Sequence, residues 1–326
     1  LNDPKGMYYG QALAGYGIEW NTRYLKANKL AAPKEWTDLV RPEYFGHIAI
    51  SSPSRSGTTQ LTVETILQGE GWDKGWSLLL QMMGNAAAVT DRSFAVPDGV
   101  NNGQYGIGIV IDFLALAGKY SGYPVDFTYP TMTAVVPANI ALVAGAKNAG
   151  EAKTFMAYTM SVPGQQLLFD PKIARLPILP YSELKPPAGY PVPQDIAKRA
   201  KVQFNTELSG ERYPVVISLF DQMITFRLKE LQAATKAIQE ATAALKAKPN
   251  TRGNELLAQA RSLAYTPLVG AENVKNKEFL ELFRKSRRDV AVAKELTGME
   301  QLWSDKARAN YDRARQLATE ARGLAK

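Results

Sequence analysis

The chain has 326 residues, of which 45% are apolar and 21% charged, and it carries a formal net charge of +8 at neutral pH. It contains no Cys and a single His, His47, which excludes thiolate catalysis, disulfides, Cys-ligated metal centres and His-rich zinc sites. No apolar run reaches membrane-spanning length and no block of Lys or Arg is dense enough for nucleic acid, so the basic excess reads as long-range attraction for acidic partners.

In chain order, "MYYGQALAGYGIEWNTRYL" alternates small and aromatic residues and predicts a strand with close backbone neighbours, turning helical around "NTRYLKANKL". "AAPKEWTDLVRPEYFG" reads as a loop with a short helix from about Glu35 to Leu39, and "HIAIS" as a strand that places His47 at its boundary. The next segment, "SSPSRSGTT", gathers Ser51, Ser52, Ser54, Ser56, Thr58 and Thr59 at one strand-to-helix corner. A helix carrying Leu61, Val63, Ile66 and Leu67 follows, then a second helix ending at Gly84. "AAAVT" predicts a strand, "SFAVPDGVNNG" a loop with a helical turn, and "YGIGIVIDFLALA" a strand buried on both faces and interrupted by Asp112. "VDFTYP" and "TAVVPANIALVA" predict further strands, and "NAGEAKTFMAYTMSVPGQQLLF" two helices parted at Val162–Pro163. This alternation argues for α/β layering. From about residue 180 a Pro-rich wrapping segment leads into a helical region, with breaks at Pro249–Asn250, Pro267 to Gly270 and Gly298.

The hydroxyl corner lacks the Lys of a P-loop, yet its physics is related. The first N–H groups of a helix have no internal partner, Gly57 permits close approach, and Ser and Thr hydroxyls donate to anionic oxygens. Simple helix capping is the competing reading. Arg92 and Ser93 form a second polar corner after a strand, where an Arg can clamp a carboxylate or phosphate. A buried Asp112 needs a partner, which is either a backbone and hydroxyl network or a ligand. With one His and no Cys, the chain offers few nucleophile-and-base sets, so a non-enzymatic role is expected.

The blocks "YYGQALAGYGIEWNTRYL", "PKEWTDLVRPEYFGHIAISSPSRSGTTQLTVETILQGEGWDKGWSLL", "RSFAVPDGVNNGQYGIGIVIDF", "YPTMTAVVPANIALVAGAKN" and "SVPGQQLLFDPKIARLPI" resemble, in one continuous order, the extracellular solute-binding proteins of bacterial ABC importers. The subgroup they resemble is the ferric-iron and sugar-phosphate branch of the type II periplasmic binding fold, which includes phosphoglycerate transport regulatory proteins. The resemblance implies an α/β fold of two lobes joined by hinge-crossing strands, with a first lobe that is incomplete here, plus a C-terminal all-helical extension. Residues 1–20 and 126–200 would hold the hinge strands and the rest of the first lobe, 21–125 the second lobe and 201–326 the extension. It further implies a periplasmic location, a small anionic solute as ligand and an ABC permease or a membrane sensor protein as partner, with no cofactor. Ser54, Ser56, Gly57, Thr58 and Thr59 fall on the family's ligand loop. Asp112 falls where a second contact is expected, and Arg92, Ser93 and Tyr129 complete the candidates. Ferric-binding members hold iron with an adjacent Tyr pair, whereas this chain reads "VIDFLALA" at that stretch, so a phosphate- or carboxylate-bearing organic solute is expected in place of a metal.

Overall fold

A computed structural model describes residues 2–325. Strand β1 (Tyr9–Asn21) organises the sheet. Its first half pairs antiparallel with β6 (Val135–Ile140), from Tyr9 opposite Ile140 to Gly15 opposite Val135, and with β7 (Leu176–Pro177). Its second half pairs antiparallel with β4 (Ile107–Ile111) and with β5 (Val125–Thr128). One strand therefore belongs to two sheet portions, as expected for a hinge-crossing strand. The small residues in its pattern have a steric reason. A Cβ on Gly17 would lie 2.1 Å from the Thr128 carbonyl oxygen, and one on Gly15 would lie 2.9 Å from the Tyr129 ring.

Beyond β4 lie the parallel strands β2 (Ile48–Ser51) and β3 (Ala86–Thr90), giving the order β3-β2-β4-β1-β5. Five helices accompany these strands: α1 (Thr22–Ala27), α2 (Gly57–Glu70), α3 (Trp72–Gly84), α4 (Ala95–Asn101) and α5 (Asp112–Tyr120). Strand β4 stops at Ile111 and α5 begins at Asp112, so this acidic residue opens a helix and does not interrupt a strand. The apolar run continued across the junction because the inner face of α5, through Ala115 and Leu116, is also buried. His47 sits half-buried at the start of β2, its Nδ1 2.8 Å from the Tyr24 hydroxyl.

On the side of β6 lie α6 (Ala149–Met160), α7 (Val162–Gln166) and α8 (Pro193–Arg199). The Pro-rich segment before α8 is packed down: its Leu184 and Tyr190, with Ile196 of α8, join Leu116, Tyr129, Phe169 and Leu176 in one apolar cluster.

The C-terminal helices are α9 (Thr206–Met223), α10 (Leu228–Ala247), α11 (Thr251–Tyr265), α12 (Lys277–Lys285) and α13 (Val290–Gly323). They share a single core with the β2–β3 side of the sheet, where Trp36, Trp76, Leu79 and Met83 pack with Val216, Phe220, Leu231, Ile238 and Tyr311. Each such side chain removed from water contributes about 1.5–3 kcal/mol. Polar ties reinforce the contact: Trp72 Nε1 donates to the Val269 carbonyl at 2.7 Å, and Tyr311 donates to the Met223 carbonyl at 2.8 Å.

The expected break at Gly298 is absent, because α13 runs straight through it. One exposed mid-helix Gly costs only about 1 kcal/mol, and Leu296, Met299 and Trp303 on either side pack against the core. The chain breaks earlier, at residues 286–289, where the Asp289 side chain caps α13 by accepting from Ala291 and Val292. Helix α9 likewise tolerates Pro214 in its interior, since Val215, Val216, Leu219 and Phe220 are fully buried around it.

Candidate functional site

Strands β2, β3 and β4 are parallel, so their carboxyl ends share one edge of the sheet, the edge where open α/β sheets bind ligands. Three sequence-singled features meet there: the hydroxyl corner after β2, Arg92–Ser93 after β3 and Asp112 after β4.

The corner's hydroxyls have distinct fates. Ser51 is buried and donates to the Thr90 carbonyl at 3.1 Å. Ser56 is the N-cap of α2, its Oγ accepting from the Thr59 backbone N–H and from the Thr59 hydroxyl, both at 3.1 Å. Thr59 is thus committed to the cap, while Ser56 retains its own hydroxyl hydrogen. Gly57 is exposed and Thr58 half-buried, and both stand in the first turn, where backbone N–H groups lack intrahelical acceptors. Ser54 is exposed, and its Oγ lies 2.7 Å from that of Ser52. Capping and ligand presentation are compatible here, since the cap uses the Ser56 lone pairs and the two Thr59 donors and leaves the Ser56 hydroxyl hydrogen and the Gly57 and Thr58 N–H groups.

Asp112 is fully buried. Its Oδ2 accepts from the Gly15 N–H at 2.7 Å and the Tyr129 hydroxyl at 3.0 Å, and its Oδ1 from the Phe113 N–H at 2.7 Å. A backbone and hydroxyl network therefore satisfies this carboxylate within the protein. Burial pushes its carboxyl up to about 7, and the three donors with the Arg175 charge hold it from rising further. Tyr129 comes from the segment between β5 and β6, so Asp112 ties α5 to that segment and to β1. Burial, then the Asp112 charge, raises the Tyr129 hydroxyl well above the usual phenol range.

Arg92 is exposed and Ser93 half-buried; the Arg92 carbonyl, not its guanidinium, is engaged, accepting from the Thr90 hydroxyl at 2.9 Å.

Two residues absent from the sequence reading stand beside Asp112. Arg175, just ahead of β7, places its guanidinium carbon 3.8 Å from the centroid of the Phe113 ring; it makes no direct ion pair among the described residues, and its charge acts on the Asp112 carboxyl. Tyr16 on β1 is fully buried, its hydroxyl without a partner among the described residues, in a cluster with Ala14 and Ile111 against which Leu61 of α2 and Phe113 pack. Arg175 carried no local signal, being one basic residue in a Pro-rich stretch; Tyr16 was hidden among the aromatics of β1.

A model of bacterial extracellular solute-binding proteins matches residues 1–198. The chain belongs to that family. The phosphoglycerate transport regulatory protein PgtC of Salmonella typhimurium is 34% identical over 272 residues, which cover 83% of this chain and 65% of that protein. The chain thus spans less than two thirds of that curated relative's length. An uncharacterized protein of Haemophilus influenzae is 27% identical over 169 residues, covering 50% of this chain and 48% of its own. Among solved structures, the periplasmic binding protein AfuA of Actinobacillus pleuropneumoniae, with exogenous fructose-6-phosphate bound, matches with a TM-score of 0.59 and 20% identity. That match covers 67% of this chain and 69% of AfuA. The periplasmic binding protein P5PA matches with a TM-score of 0.58 and 22% identity, covering 68% of this chain and 69% of its own. The architecture is that of the type II periplasmic binding proteins, and the expected fold class stands. The helical layer beyond residue 198 lies outside the family match.

Proposed function

We propose that this solute-binding protein captures a small phosphate- or carboxylate-bearing solute at the carboxyl edge of the sheet and delivers it to an ABC importer in the periplasm. The observation that carries this reading is the donor set of the corner: the Ser56 hydroxyl hydrogen, the first-turn N–H groups of Gly57 and Thr58, and the Thr58 hydroxyl. The partial positive charge of the α2 N-terminus adds to this donor set, and the Arg175 guanidinium lies over the ring of Phe113, the residue after Asp112. Ser54, Thr59, Asp112, Arg92, Ser93 and Tyr129 act in this scheme as the surrounding frame. Residues 21–125 form the lobe that presents the corner, and residues 1–20 with 126–200 form the side that closes over it. The 201–326 layer braces the first of these. The fructose-6-phosphate bound to AfuA and the name of PgtC support a phosphorylated ligand. Ligand contacts to both sides would favour the closed arrangement.

Calorimetric titration of the full-length protein with sugar phosphates, phosphoglycerates and ferric chelates tests the reading. Saturable binding of a phosphorylated solute is expected; binding only to a neutral solute overturns it. The regulatory name of PgtC favours a second reading, in which the loaded protein reports to a membrane sensor kinase. Capture of a permease without a kinase counts against that reading.

A further inference from the structure

We infer that Asp221, contributed by the helical layer outside the family-matched segment, fixes the hydroxyl hydrogens of the corner and so selects an anion that carries a hydroxyl or ammonium donor beside its charged group. This inference rests on the anion-binding reading above and adds to it a positioning residue and a selectivity.

Asp221 Oδ1 accepts from the Ser52 hydroxyl at 2.8 Å and from the Thr225 hydroxyl at 2.7 Å. A carboxylate only accepts, so the single hydrogen of Ser52 is spent on Asp221. Ser52 Oγ is also 2.7 Å from Ser54 Oγ and accepts the Ser54 N–H at 3.2 Å. Ser54 must therefore be the donor in the hydroxyl pair, and its outward side offers lone pairs alone. Ser56 is the reverse case, since its Oγ accepts twice from Thr59 and keeps its hydrogen for a ligand. The corner is thus polarised, with an acceptor at Ser54 and donors at Ser56, Gly57 and Thr58. An anionic oxygen is welcome at the donors and repelled at Ser54, where a ligand's own O–H or N–H is satisfied. The Tyr16 hydroxyl, fully buried and without a partner among the described residues, lies in the cluster against which Leu61 of α2 packs.

Asp221 is held firmly enough to do this. Helix α9 runs along α2, joined by the buried Arg212–Glu64 pair, with Nε 2.9 and 3.1 Å from the two carboxylate oxygens. The Gln60–Ser209 contact at 3.3 Å and the mutual bonds of Gln68 and Asn205 extend the joint.

Calorimetry on the full chain with inorganic phosphate, glycerol 3-phosphate and n-propyl phosphate reads the polarity, because the two esters share a charge and differ in hydroxyls. The wild-type protein is expected to favour glycerol 3-phosphate over n-propyl phosphate by about tenfold, the equivalent of one good hydrogen bond. Asp221→Ala releases the Ser52 and Ser54 hydrogens, so that ratio falls towards one and inorganic phosphate binds several-fold tighter. Asp221→Asn keeps an acceptor oxygen and restores the ratio. Ser54→Ala, at an exposed position, removes the acceptor and lowers the ratio. A merely structural role for Asp221 would shift all three ligands together and leave the ratio unchanged, which overturns the inference. A ratio near one in the wild type, or one that survives Ser54→Ala, does the same while sparing the anion-binding reading. Failure of the wild type to bind any of the three overturns the inference, while the titrations with sugar phosphates and phosphoglycerates decide the anion-binding reading separately.

Discussion

Glu19 occupies the least accommodating position in the sheet. It lies on β1 opposite Gly108 of β4 and Phe127 of β5, is fully buried, and neither of its carboxylate oxygens finds a partner among the described residues. Burial, with the Asp98 charge as a smaller contribution, pushes its carboxyl up to about 8. The folded protein therefore holds a proton that the unfolded chain releases near pH 4.5. The stability tied to that proton is complete below the unfolded value and is lost as pH rises to about 8. Thermal melts between pH 5 and 9 should show the wild-type midpoint falling by roughly 5–10 °C, and Glu19→Gln should lessen that slope, leaving the part that belongs to Asp112. An unchanged slope in the variant would assign the pH dependence elsewhere. At the corner, Ser56→Ala removes both a cap and a ligand donor. Calorimetry should show about a tenfold loss of phosphorylated-solute affinity, and melts about 1 kcal/mol of lost stability. Sequence reasoning found Asp112 because a charge in an apolar run is conspicuous. It passed over Glu19, which sits between Ile18 and Trp20 and reads as the polar member of an alternation. The inner face of that alternation is in fact covered by α4, whose Val96 and Val100 lie against Gly108.

Among the elements, α9 makes the decisive joint. Its Arg212 lies over the Trp72 ring at 5.2 Å and pairs with a fully buried Glu64. Removing one partner strands the other, so Arg212→Ala should cost about 3–5 kcal/mol in denaturant unfolding. The double change Glu64→Met with Arg212→Leu should recover most of it. A double variant as unstable as the single one would mean that the pair does more than neutralise itself. Strand and helix order was legible because periodicity and Gly or Pro punctuation are local. The uninterrupted α13 was not, since whether Gly298 ends a helix depends on what Met299 and Trp303 touch. Asp221 was illegible for the same reason: its partner Ser52 is 169 residues away in sequence.

For the whole molecule, the helical layer is half of the main core. A chain ending at residue 200 would expose Trp72, Trp76, Leu79, Leu80 and Met83, now almost wholly buried. Such a chain should bind a hydrophobic dye and lose its near-ultraviolet circular dichroism, and a sharp cooperative melt from it would show that the layer is dispensable. The crossing strand has a different consequence. The boundary between the two sheet portions falls between Gly15 and Tyr16, inside a continuous hydrogen-bonded strand where no loop is available to cut. The lobes cannot be exchanged between relatives as modules, nor can a linker be lengthened to loosen them. Any graft that moves the corner to another scaffold has to carry all of Tyr9–Asn21 with it.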